Sequence, residues 1–158
     1  MWQLLDLEAD FKTIQIVYNS LEDPKNKRIR IRELLCPCVG RLYPLYYYNL
    51  KGVEALDDLR DVLRPFDRYR KVLADIPEPN KNNHPNMKSL EDCMYEEQVR
   101  QWSYSFDQQN NLSIFYSYFK LKEQEIRNLI WLAEMISRKL DKNSSNWHKI
   151  IVPFNSEI

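Results

Sequence analysis

Two cysteines around a proline, Cys36-Pro37-Cys38, are the first residues in this chain that could do chemistry. Thiolates at that spacing could ligate a metal, yet zinc takes four ligands, usually from two such pairs, and His84 and His148 stand at no matching interval. With Cys93 the count is odd and fits no disulfide framework, so all three are read as reduced thiols, buried or partly buried. The other candidates for catalysis are carboxylates without a partner pattern, two unpaired histidines, and serines outside any GxSxG setting. There is no glycine-rich phosphate loop. The reading is of a chain with no catalytic residue, no metal site and no cofactor.

A second constellation organises surface chemistry. Glu123, Arg127, Trp131, Glu134 and Arg138 step by four, four, three and four, which places them along a single line of a helix. Glu123 can pair with Arg127, and Glu134 with Arg138. Exposed pairs of that kind contribute only ~0.3 to 0.5 kcal/mol each, too little to demand a role beyond a solvated face. Trp131 strains that bland reading. A large aromatic amid charges packs on something, either another helix of the same subunit or a partner. A basic run, Lys25, Lys27, Arg28, Arg30 and Arg32, could touch phosphate, but it reads better as a solvated face.

The elements that must position these residues follow from composition and period. The 158 residues suit one domain, residues 1–158, with room for one buried core. Glycine is scarce at 2 residues, and few left-handed turns favour helices. Lys+Arg and Asp+Glu are 23 each, so the long-range field that draws proteins to nucleic acid is missing, and no nucleic-acid partner is expected. No apolar run approaches the ~20 residues of a membrane span, and the acidic start is unlike a secretory signal. The expectation is a soluble, cytosolic chain.

Leu4, Leu7, Phe11, Ile14, Tyr18 and Leu21 recur at helical spacing until Asp23-Pro24 stops them. Arg28 to Leu35 alternates isoleucine with arginine, the local pattern of a strand, over too short a run to decide. Cys36 to Pro44 reads as a bent connector, Tyr46 to Leu50 as the start of a short helix, and Val53–Leu63 and Phe66–Ala74 as further helical pieces. Residues 77–88, rich in proline and asparagine, are expected to be a mobile surface loop. Ser89 with Asp92 forms a capping box for a helix to about Phe106, whose buried side is Leu90, Met94, Val99, Trp102 and Phe106. A polar turn at Asp107–Asn111 then predicts antiparallel return into a long helix ending near Lys142. The side of that helix bearing Phe115, Tyr118, Phe119, Ile126, Leu129, Ile130, Ala133, Ile136 and Leu140 is expected to face the core. The fold class is all-α, a bundle of short and long helices closing with a long antiparallel pair.

Several words of this sequence occur in the same order in a known family. LEAD at Leu7–Asp10, GRLYP at Gly40–Pro44, SLED at Ser89–Asp92, KLKEQE at Lys120–Glu125 and WLAE at Trp131–Glu134 resemble subunit d of the V-type proton ATPases. The resemblance covers nearly the whole chain and is most specific from Phe115 to Ile136. It implies part of a funnel-shaped, all-helical subunit without chemistry of its own. Such a subunit lies peripherally, without a transmembrane span, on the cytoplasmic face of vacuolar, lysosomal or other endomembranes. Its implied partners are the proteolipid ring and the central-stalk subunits, between which it passes torque. By the same analogy Glu123, Arg127, Trp131, Glu134 and Arg138 hold the closing helix against its neighbours.

The chain also departs from the family pattern. It begins well inside that pattern, Met135 stands where a cysteine is usual, and Cys36 and Cys38 replace aromatic and polar residues. A chain of this extent is expected to expose apolar faces and to need partners. Two competing readings stand beside the coupling role: a helical interaction protein that regulates assembly, and an enzyme using Cys36, Cys38 or the histidines.

Overall fold

The structure, a computed structural model, describes residues 1–74, 76, 89–108 and 112–138. Among them are seven helices and no strand: α1 (Trp2–Asn19), α2 (Lys25–Leu35), α3 (Tyr47–Gly52), α4 (Leu56–Leu63), α5 (Asp67–Ala74), α6 (Leu90–Asp107) and α7 (Ser113–Ser137). They form two compact units, one from Trp2 to Met94 and one from Tyr95 onward. The predicted loop at 77–88 and the helix end near Lys142 lie outside the described residues.

In the first unit, α1 buries Leu7, Phe11, Ile14 and Val17 against Leu50, Val53, Leu56, Leu59 and Leu63, with Tyr69, Val72 and Leu73 from α5 completing the cluster. The strand-like alternation of Arg28–Leu35 folds as α2. A helical period sends Arg32 inward while Arg30 and Glu33 stay outside, whereas a strand would turn Arg30 and Arg32 to the same face. Arg32 is completely buried, which overturns the reading of the basic run as one solvated face.

Arginine also replaces glycine as the way helices end. Glycines commonly satisfy the last carbonyls of a helix through a left-handed cap, but this chain has only 2, and side-chain donors can serve instead. The Arg32 guanidinium donates to Val17 O at 3.2 Å, near the end of α1, and to Leu50 O, Lys51 O and Val53 O at 3.1, 3.0 and 2.7 Å, at the end of α3. Its Nε donates to Ser20 Oγ at 2.8 Å. Arg28 adds a bond to Val53 O at 3.3 Å, and Arg60 donates to Leu73 O in the last turn of α5 at 3.3 Å and to Ile76 O beyond it at 2.8 Å. Positive charge is favoured at helix C-termini, so no carboxylate is needed to bury Arg32.

At the start of α6 the capping box forms as expected: Asp92 N donates to Ser89 Oγ at 3.1 Å, and Ser89 N to Asp92 Oδ2 at 3.2 Å. Leu90, Met94, Val99 and Trp102 are buried. In the second unit the rest of α6 pairs antiparallel with α7. Tyr95 meets Gln124, Trp102 meets Lys120, and Ser105 meets Ser113.

The inward side of α7 corrects the sequence expectation. Ser113, Ser117, Gln124 and Met135 are its buried residues. Phe115, Phe119, Ile126, Leu129, Ile130 and Ile136, expected in the core, are each more than half exposed. Periodicity locates two faces of a helix but does not say which one meets its neighbour. Here Tyr95 and Ser105 offer hydrogen-bonding partners, and the polar line answers them.

Candidate interaction site

The stripe on α7 lies beside this buried polar line. Glu134 and Arg138 form an ion pair at 2.5 Å. Glu123 instead reaches back to Lys120 at 3.4 Å, while the Arg127 guanidinium lies 4.7 Å from the centroid of the Tyr95 ring. A flat cation over an aromatic face is attracted by the ring quadrupole, so Arg127 couples α7 to α6 rather than to Glu123. Trp131 is 40% exposed. The helix therefore brings all five residues to one side, with Arg127 reaching α6 and the others distributed along the surface.

Below the stripe, Tyr95 Oη donates a short hydrogen bond to Gln124 Oε1, and Gln124 Nε2 donates to Asn128 Oδ1 at 2.7 Å. Gln124 is fully buried, and these two bonds satisfy both ends of its amide. Burial raises the Tyr95 phenol above its ordinary range, with Arg127 opposing that rise. Tyr95 thus remains a neutral donor at physiological pH.

A second polar centre, in the first unit, had not been singled out from the sequence. Asp10 is fully buried on the apolar side of α1, between Leu7 and Ile14. Its carboxylate accepts from Arg41 N at 3.2 Å, Leu42 N at 3.1 Å and Tyr69 Oη at 2.5 Å. Gly40 is required there: its φ is +108°, and a Cβ would stand 2.3 Å from Asp10 Oδ1. Desolvation raises the Asp10 pKa above its ordinary 3.8, partly offset by the bonds from Tyr69, Leu42 and Arg41. The Tyr69 phenol is pushed up by burial and by its bond to Asp10. Two of the sequence words, LEAD and GRLYP, therefore meet in one knot. Its available signal was an acid in register with Leu7 and Ile14, followed later by one of only 2 glycines.

The thiols divide differently from expectation. Cys36 is buried, Cys93 intermediate and Cys38 exposed. Burial pushes the Cys36 thiol up to about 11, which keeps it protonated and a poor nucleophile near neutral pH. Among the described residues, no cluster of three or more His, Cys, Asp and Glu is arranged to hold a metal. His84 and His148 lie outside those residues. No helix among them is long and apolar enough to cross a membrane.

Comparison with known proteins supplies the family. Residues 1–147 match the model of the ATP synthase (C/AC39) subunit family. The chain is 35% identical over 147 residues to the V-type proton ATPase subunit d of Dictyostelium discoideum, covering 93% of this chain and 39% of that protein. It is 33% identical over 138 residues to a probable V-type proton ATPase subunit d of Oryza sativa subsp. japonica, covering 87% and 37% respectively. To subunit d of Saccharomyces cerevisiae it is 30% identical over 151 residues, covering 93% and 39%. The chain spans about two fifths of the length of these relatives.

Proposed function

This chain belongs to the ATP synthase (C/AC39) subunit family, and on that premise we propose that it is a non-catalytic coupling component of a V-type proton ATPase. In this reading it links the central rotary stalk to the proteolipid ring on the cytoplasmic face of an endomembrane. ATP hydrolysis elsewhere turns the stalk, and the helical body carries that rotation to the ring, which moves protons. The family match over residues 1–147 carries the proposal.

The geometry supports a load-bearing role through its polar ties. A connector held by a buried carboxylate on two backbone amides and a tyrosine resists displacement better than apolar packing, because hydrogen bonds are directional and a buried one is expensive to break. Arg32 ties the end of α1 to the end of α3 in the same manner. On α7 we assign Glu123, Arg127, Trp131, Glu134 and Arg138 to holding that helix against neighbours, with no part in carrying protons.

A tagged full chain expressed in cells with the pump should recover proteolipid or stalk subunits from gently solubilised membranes. Recovery of neither overturns the coupling role. Cytosolic partners without co-migration of the membrane sector would favour the second reading, regulation of assembly, to which the exposed apolar side of α7 also lends support.

A further inference from the structure

The stretch from Leu34 to Leu50 carries a single charge, Arg41, although it runs from the end of α2 through the connector into α3. Among the described residues from Trp2 to Met94, the large apolar side chains left exposed are Trp2 and six of this stretch: Leu34, Leu35, Val39, Tyr43, Leu45 and Tyr48. Leu42 and Leu50 turn inward and are buried, so the segment has a fixed root and an apolar outer side. Asp10 grips the root through Arg41 N and Leu42 N, and a bond from Lys51 to Glu33 joins α3 to the end of α2. The Tyr43, Tyr47 and Tyr48 rings meet edge to face at 5.8 and 5.9 Å. A rigidly held connector that concentrates a unit's exposed apolar side chains is a docking surface.

We propose that this segment seats in the headgroup region of an anionic lipid bilayer. Three observations favour a lipid surface over a protein partner. Leu34, Leu45 and Tyr48 are 72%, 81% and 75% exposed, so they stand out from the body rather than lining a groove in which a partner helix could lie. A fluid bilayer accepts protruding side chains without a matching pocket. Tyrosine, with an apolar ring and a hydroxyl that stays wet, is enriched where a membrane meets water. The charge left over beside the patch is positive: Arg30 on α2 and Arg41 in the connector are exposed and form no ion pair among the described residues. Glu33 is taken by Lys51, Asp10 is spent on backbone amides, and Asp6, whose carbonyl reaches Gly40, is partly buried. Cations flanking an apolar insertion draw it to phosphate and carboxylate headgroups. The attachment is peripheral and holds whether or not the chain couples a stalk to a ring.

Flotation of the full chain with unilamellar vesicles tests the assignment. The chain should float with phosphatidylcholine vesicles containing about 30% phosphatidylserine, partitioning at least ~5-fold better than onto phosphatidylcholine alone. Leu45→Glu and, separately, Tyr48→Glu should each lower that partition at least ~10-fold by placing a charge against hydrocarbon. Replacing Arg30 and Arg41 together by glutamine should lower it at least ~10-fold on the anionic vesicles and leave binding to phosphatidylcholine unchanged. Phe119→Glu, at a comparably exposed residue of α7, should leave it within ~2-fold. Circular dichroism should show equal helix content in every variant, which separates lost binding from unfolding. A chain that stays with the soluble fraction overturns the proposal, including one whose exposed connector binds only a protein. So does vesicle binding that both Leu45→Glu and Tyr48→Glu leave intact, or that Phe119→Glu removes equally.

Discussion

In the unit from Trp2 to Met94, apolar side chains lie inside and the few buried charges are tied to backbone; in the unit from Tyr95 onward, α7 keeps a serine, serine and glutamine line inside and leaves its apolar side open. The first arrangement has a contiguous apolar core, with Leu34, Leu35, Leu45 and Tyr48 left exposed outside it. Asp10 and Arg32 are both fully buried, yet each has its hydrogen-bonding capacity spent on amides, carbonyls or hydroxyls of the same unit. The second arrangement is a hairpin joined by polar contacts and by the Phe106–Tyr118 ring pair, with one apolar side of α7 exposed. Apolar surface left exposed does not stabilise its own unit.

The largest effect is expected where the first unit concentrates its ties. Arg32→Met fits the space but removes donors from Val17, Leu50, Lys51, Val53 and Ser20. The orphaned carbonyls should lower stability by ~3 to 5 kcal/mol. Urea unfolding followed by circular dichroism measures it. A loss below ~1 kcal/mol would place Arg32 with ordinary surface arginines and erase the contrast between the units.

Gly40→Ala comes next. The substitution forces a residue with a side chain to φ +108° and puts its Cβ 2.3 Å from Asp10 Oδ1 and 3.3 Å from Asp6 O. Carboxylate, connector or helix must shift, at a cost of ~2 to 3 kcal/mol in the same assay. Gly52 offers the control, since nothing lies within 4 Å of a Cβ built there. Equal effects at the two glycines would mean that the knot around Asp10 confers no special constraint.

The pH dependence of Asp10 sharpens the comparison further. Its folded-state pKa is raised above 3.8 by burial, so the native state holds the proton more tightly than the unfolded chain. The associated stability is fully present below 3.8 and is lost as pH rises through the folded value. Asp10→Asn cannot titrate, and it leaves at least one of the amides of Arg41 and Leu42 less well served, costing ~1 to 3 kcal/mol at acid pH. The variant's deficit should shrink as pH rises from 3.8 through the raised folded value. A deficit that grows with pH would mean that the three donors outweigh desolvation.

These tests bear on residues that sequence reasoning reached unevenly. Ser89 and Asp92 announced the start of α6 because a capping box is local: both partners lie within one turn. The long α7 and its antiparallel return were legible for the same reason, from periodicity and a short polar interval. Arg32 was not, since its acceptors are backbone carbonyls 15 to 21 positions away and any residue type could have supplied them. Asp10 left a fainter trace as an acid on an apolar face. On α7, Glu134–Arg138 formed and Arg127 chose Tyr95 instead of Glu123, a choice made by α6. Which side of α7 turns inward depends equally on what α6 presents, and a period carries no information about that.

The smallest expected effect tests whether the polar interior of the hairpin is fully used. Ser117 is completely buried, and its Oγ has no hydrogen-bond partner among the described residues. Neighbouring Ser113 differs, because its hydroxyl meets Ser105 Oγ at 2.7 Å. Removing a buried hydroxyl that bonds nothing recovers its desolvation cost, and alanine is the better helix former, so Ser117→Ala should stabilise the protein by up to ~1 kcal/mol. Ser113→Ala should instead destabilise it by about the same amount, leaving Ser105 short of a partner. Opposite signs one helical turn apart would establish that the inward polar line of α7 is selective, with Tyr95–Gln124 and Ser105–Ser113 as its fixed points. Equal losses at both serines would mean that Ser117 also finds a partner, and that the hairpin resembles the first unit more closely than its geometry indicates.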